Sequence, residues 1–226
     1  MSWFFQFLKS SIGKKLIMSL TGLFLVLFCI VHLSGNLQLL ADDGGESFNM
    51  YTKFMTSNPL IKIISYVTYL LILLHTIQGL MLWKQNRAAR ASRYAVASNK
   101  HTTFASRNMG ALGTIILIFL LLHLYQFWLQ MKLGTTEMIA YGDHEPVKDL
   151  YALVAYAFKQ PLYVIIYVIS MVVIAFHLRH GFQSAFQTLG LNHVKYNGLI
   201  HFIGNVIAFV IPFGFAFIPV FFYLFR

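Results

Sequence analysis

Five stretches of this chain are too apolar and too long to fold readily as anything but membrane-crossing helices. They cover residues 15–40, 60–83, 109–131, 161–186 and 199–225. Each exceeds the roughly 20 residues with which a helix rising 1.5 Å per residue crosses the hydrocarbon layer. In lipid a backbone must satisfy its own hydrogen bonds, which leaves helices and closed barrels. The alternating ten-residue segments of a barrel are absent. Only 11% of the residues are charged and 58% are hydrophobic, against about 25% charged in a soluble domain. The connectors are too short to be domains, and there is no internal repeat or low-complexity segment. The expected fold is therefore an all-α integral membrane protein, one domain over residues 1–226.

The single cysteine, Cys29, lies inside the first apolar run, so no intrachain disulfide forms. There is no C-x-x-C-H for covalent haem attachment. No cleavable signal peptide is expected, because the first run is too long for a signal core and no A-x-A site follows it.

Charge sets the expected direction. Lys9, Lys14 and Lys15 precede the first span, and Lys84, Arg87, Arg90, Arg93, Lys100 and Arg107 follow the second with no acid among them. The connector after the first span carries Asp42, Asp43 and Glu46. The one after the third carries Glu137, Asp143, Glu145 and Asp149 against Lys132, Lys148 and Lys159. Positive-inside counting places the N-terminus in the cytoplasm and the C-terminus outside. The net charge of +10 then needs no nucleic acid to explain it. The basic face suits anionic headgroups or a soluble partner.

Four spans each carry a histidine at depth. His32 and His123 lie about eight residues from the outer ends of spans one and three, roughly 12 Å below the boundary. His75 and His177 lie about as far from the inner ends of spans two and four. They sort into an outer pair (His32, His123) and an inner pair (His75, His177). A lone intramembrane histidine is most simply an interhelical hydrogen bond. Four of them, matched in depth as two pairs, fit two bis-histidine haem b sites stacked in a four-helix core, with the fifth helix outside it. Zinc would want three or four clustered ligands with acids or thiolates, and no acid lies inside these spans. Gly79 and Gly181 each follow a histidine by four residues on the same helix face, where a flat macrocycle needs room. Gly22 and Gly113 precede His32 and His123 by ten, roughly 15 Å along the helix, at the depth of the other haem. Close helix packing through small residues is the alternative for these glycines.

Several short stretches occur in the order seen in one family. They are "HLSGN" (32–36), "FNMYTKFMTSNP" (48–59), "LLHTIQGL" (73–80), "HLY" (123–125) and "FHLRHG" with "QTLG" (176–181, 187–190). Together they resemble the five-helix dihaem cytochrome b anchor of succinate:menaquinone reductases and quinol:fumarate reductases, over most of residues 15–190. In that family the second stretch is an outer loop. The resemblance implies the same ligand pairs, His32 with His123 and His75 with His177. It also implies a (mena)quinone substrate and two cytoplasmic partners, a flavoprotein with covalent FAD and an iron–sulfur subunit. Some fumarate-reducing members carry a glutamate two residues before the fourth ligand, for proton passage. Here that position is Ala175, so a proton route of that kind does not carry over.

Within "FHLRHG", His177 is preferred to His180 as ligand because of the glycine at i+4. Arg179 and His180 are candidates to bind the inner haem's propionates by charge-assisted hydrogen bonds, and snorkelling to the surface is the other reading of Arg179. His101, His144 and His193 fall in connectors. His201, near the inner start of span five, suits a hydrogen-bonded interfacial role, a quinone pocket or a partner surface. Trp83 and Trp128 read as interface anchors, and Pro212 and Pro219 as kinks in span five. Lys84, Arg87, Arg90 and Arg93 either dock the iron–sulfur subunit or are an ordinary cytoplasmic loop.

The expected role is an electron-conducting membrane anchor in a bacterial cytoplasmic membrane. The chain has no flavin-binding glycine loop and no cysteine cluster, so it does not oxidise succinate alone. A haem b subunit of a hydrogenase or formate dehydrogenase is the redox alternative, and a transporter the non-redox one. A dimer of the whole complex is a further expectation.

Overall fold

The computed structural model describes residues 3–88, 103–134 and 136–226. Arg90, Arg93, Lys100 and His101 lie outside the described residues.

All five expected spans are helical, over Ser11–Leu40, Pro59–Ala88, Phe104–Leu133, Pro161–Thr188 and Val194–Phe225. At 28–32 residues they are roughly 42–48 Å long, and so project beyond an about 30 Å hydrocarbon core. The chain is a multi-pass membrane protein. A short helix α1 (Trp3–Lys9) leads into α2 (Ser11–Asn36), which ends in a 3₁₀ turn, Leu37–Leu40. Span one thus starts four residues before the expected Lys15. Ser10 caps α2, its hydroxyl accepting from Gly13 N at 3.0 Å and so satisfying a free helical donor. At Gly13 any Cβ would collide with the Phe7 carbonyl, so glycine lets α1 fold back against α2.

The connector after α2 forms a helix, α3 (Glu46–Ser57). Span two is α4 (Pro59–Ala88), span three is α5 (Phe104–His123), a π-helical turn (Leu124–Leu129) and α6 (Gln130–Leu133). A two-stranded ladder, β1 (Met138–Ile139) with β2 (Val147–Lys148), and α7 (Leu150–Phe158) precede α8 (Pro161–Thr188) and α9 (Val194–Phe225). α9 runs through both Pro212 and Pro219 without a break.

α2 packs on α4 and α8, and α5 packs on the same two helices. The core is therefore a square in which α2 faces α5 across one diagonal and α4 faces α8 across the other. α9 lies outside it, against α8 through Gly204 and Phe182 and against α2 through Gly214 and Leu33. Leu70, Leu73 and Ile77 of α4 and Phe209 and Phe213 of α9 are exposed in the chain, and at membrane depth they meet lipid.

The segment 48–59, expected as a loop, is mostly the helix α3, and it covers one end of the bundle with β1, β2 and α7. The Asp43 carboxylate accepts from Gly45 N and Ser47 N, each at 3.0 Å, which starts the helix. Its hydrogen bond with Ser47 holds the carboxyl below the ordinary carboxylate range. Asn49 is fully buried. It donates to Tyr141 Oη at 2.8 Å and Asp149 Oδ1 at 3.0 Å, and accepts from Tyr151 N at 2.9 Å. All seven acidic residues lie in this capped end or the turns beside it. Arg226, ending α9, pairs there with Asp42 at 3.1 Å. At the opposite end Lys14 Nζ donates to Gln85 Oε1 at 3.4 Å.

Candidate functional site

The square core brings the four predicted histidines together as two pairs, one on each diagonal. His32 of α2 and His123 at the end of α5 have ring centroids 6.0 Å apart, with planes at 85°. His75 of α4 and His177 of α8 have centroids 6.3 Å apart, with planes at 71°. His180 is half-buried and makes no ring contact with His75 among the described residues, so the chain puts His177, not His180, opposite His75.

The two pairs lie at different levels. A Cβ at Gly22 of α2 would stand 3.2 Å from His75 Cε1, so the His75–His177 pair is level with Gly22. His32 is ten residues further along the same helix, roughly 15 Å at helical rise. A Cβ at Gly79 would meet only Met18 Cε, at 3.3 Å, and at Gly113 or Gly181 it would meet nothing within 4 Å. Among the described residues, no neighbouring helix therefore packs against Gly113 or Gly181. Tight packing is instead found at Gly110, where a Cβ would collide with Trp83.

Hydrogen bonds constrain the rings unequally. Thr21 Oγ1 donates to the carbonyls of Ile17 at 2.8 Å and Met18 at 3.2 Å, and lies 3.0 Å from His75 Nδ1. A hydroxyl has one proton. With that proton on the backbone, the His75 contact takes its proton from Nδ1, which leaves the Nε2 lone pair free. His123 Nδ1 lies 3.3 Å from Tyr167 Oη. His32 stacks on Phe28 at 5.2 Å and touches Phe215. Its Nδ1 faces the Asn36 amide nitrogen at 3.3 Å and so accepts, which means that ligation through Nε2 requires the ring proton to move. His177 Nδ1 is buried with no hydrogen-bond partner among the described residues. Such an orphan costs about 1–3 kcal/mol and calls for an explanation.

These residues fit a haem. Imidazole nitrogens about 2.0 Å from a shared metal, on opposite sides, set ring centroids about 6 Å apart. Two pairs at that spacing suit a flat metal-bearing macrocycle. Among the described residues no three His, Cys, Asp or Glu side chains gather closely enough for a protein-only metal site. Direct edge-to-face packing of the rings is the alternative; the orphaned His177 Nδ1 does not separate the two, because ligation through Nε2 leaves Nδ1 as it is.

Arg179 is exposed on α8 and has no hydrogen bond or ion pair among the described residues. His144 is exposed in the β1–β2 connector. His193 caps α9, its Nδ1 accepting from Lys195 N at 3.2 Å. His201 borders a small polar pocket between α8 and α9 with Gln183, Gln187, Asn192 and Asn197. Trp128 donates to Tyr69 Oη at 2.9 Å.

Sequence reasoning missed Thr21, Gln78, Gln126 and Tyr167. Gln78 and Gln126 each follow a paired histidine by three residues, on the same helix face. Each has an amide nitrogen buried without a partner among the described residues. A polar residue at that spacing in an apolar helix was a readable signal. No family model matches the chain, and no curated protein or solved structure matches it either.

Proposed function

We propose that this chain is the dihaem cytochrome b membrane anchor of a succinate:quinone oxidoreductase-type complex, passing electrons between a soluble iron–sulfur subunit and a quinone, menaquinone by resemblance. The observation that carries the reading is the pair of facing histidines on each diagonal of the square, at two levels roughly 15 Å apart. His32 and His123 would hold one haem b, and His75 and His177 the other. Haem, when bound, supplies one-electron redox chemistry.

The chain's own residues do the rest. The helices fix the paired imidazoles, and Thr21 holds His75 with its Nε2 free. The apolar walls keep water away. Gly22 lets α2 approach the His75 ring, where a Cβ would stand 3.2 Å from Cε1, and Arg179 and His180, within one turn after His177, are the candidates for the inner haem's propionates.

The Lys and Arg residues before span one and after span two support a cytoplasmic N-terminus and a periplasmic C-terminus in a bacterial inner membrane. The basic end, with Lys14, Lys84 and Arg87, then faces the cytoplasm, where the iron–sulfur subunit and the FAD-bearing flavoprotein would dock. Affinity purification of the tagged chain from its native membrane tests this. Co-purification of those two subunits with succinate-dependent quinone reduction, or fumarate-dependent quinol oxidation, supports the reading. Recovery with a hydrogenase or formate dehydrogenase on the opposite face would replace it.

A further inference from the structure

His123 touches more than its mate. Its Nδ1 is 3.3 Å from Tyr167 Oη, which donates to Gln126 Oε1 at 2.9 Å. Tyr167 is 5% exposed and Gln126 8%. The phenol ring is wedged among Phe119, Phe158 and Phe127, at 5.0, 5.0 and 6.1 Å. Gln126 sits in the π-helical turn Leu124–Leu129 that follows His123, an irregularity that concentrates at functional sites.

A phenol has one proton. With it donated to Gln126 Oε1, the Tyr167 oxygen can only accept, and the proton in the His123 contact belongs to Nδ1. The Nε2 lone pair is then free. The reverse amide orientation would set Gln126 Nε2 against the Tyr167 oxygen and turn the phenolic proton onto His123 Nδ1. The ring proton would then sit on Nε2 and block it. The amide's own satisfaction does not select the observed orientation, since it leaves Nε2 buried without a partner among the described residues.

We propose that Tyr167 and Gln126 are positioning residues that hold His123 as the Nδ1–H tautomer and direct its Nε2 lone pair toward His32. The proposal rests on the dihaem reading above. A hydrogen-bonded Nδ1–H makes an imidazole a stronger donor to ferric iron. Loss of its acceptor therefore raises the midpoint potential of that haem and leaves the other unmoved.

The test is redox potentiometry with optical and low-spin EPR spectra on the purified full-length chain, with the outer haem assigned as the component missing from His32→Ala. Tyr167→Phe keeps the ring packing. It is expected to shift the outer haem's reduction equilibrium upward by up to about tenfold, about 59 mV for one electron, with the inner haem as internal control for folding. Gln126→Leu leaves the phenolic proton free to turn onto His123 and is expected to lower outer-haem occupancy. Gln126→Glu restores an acceptor and is expected to retain that haem. An unmoved outer haem in Tyr167→Phe, an equal shift of both haems, or loss of both would overturn the relay alone. A wild-type chain without haem would remove the relay together with the functional reading.

Discussion

Gly22 of α2 lies directly against the ring of His75 on α4, where a Cβ would stand 3.2 Å from His75 Cε1. One helix thus serves both levels of the core, with His32 at one and Gly22, ten residues away, at the other. Gly22→Leu drives a branched side chain into that contact, an overpacking of about 1–3 kcal/mol. The expected result is loss of most of the inner haem with the outer haem retained, read as the fraction of each component in a reduced-minus-oxidised spectrum. Equal loss of both would mean that Gly22 matters only for general packing.

His75→Ala is expected to abolish the inner haem while the outer one stays detectable, and His123→Ala to do the reverse. The measurement is haem content per chain with spectral assignment. If His75→Ala removed neither component, or only the outer one, the pairing would be wrong.

Thr21→Val keeps shape and removes the oxygen 3.0 Å from His75 Nδ1. The inner haem's reduction equilibrium is expected to move upward by up to about tenfold, with the outer haem unmoved. An unchanged inner midpoint in a titration would show that Thr21 serves only its own helix backbone.

Asn49→Ala leaves Tyr141, Asp149 and the Tyr151 amide without their shared partner. The loss of these buried bonds costs about 1–3 kcal/mol. Amide exchange in α3 is expected to rise roughly 5- to 150-fold, with the haems in place. Unchanged exchange would show that the cap is held by its apolar contacts instead.

The five spans were legible because long apolar runs without charge leave the backbone few choices. Their ends were less so. Ser11, Lys14 and Lys15 are polar, yet the helix continues through them from the Ser10 cap. The cap at the acidic end was not legible, because Asn49 finds Asp149 100 residues away and no local pattern announces that bond. The pairing of His32 with His123 and His75 with His177 followed from depth counted along helices. The crossed diagonals did not, since they depend on which helices pack as neighbours. Tyr167 and Gln126 sit on different helices, 41 residues apart, so their contact exists only after the bundle forms.

The most direct measurement is a potentiometric titration, followed by dithionite-reduced minus oxidised absorption, of the chain purified from cells supplied with haem. Two low-spin b-type components, each titrating with one electron and together near two haems per chain, are the predicted result. A chain that folds and yet shows no reducible b-type bands would contradict the account.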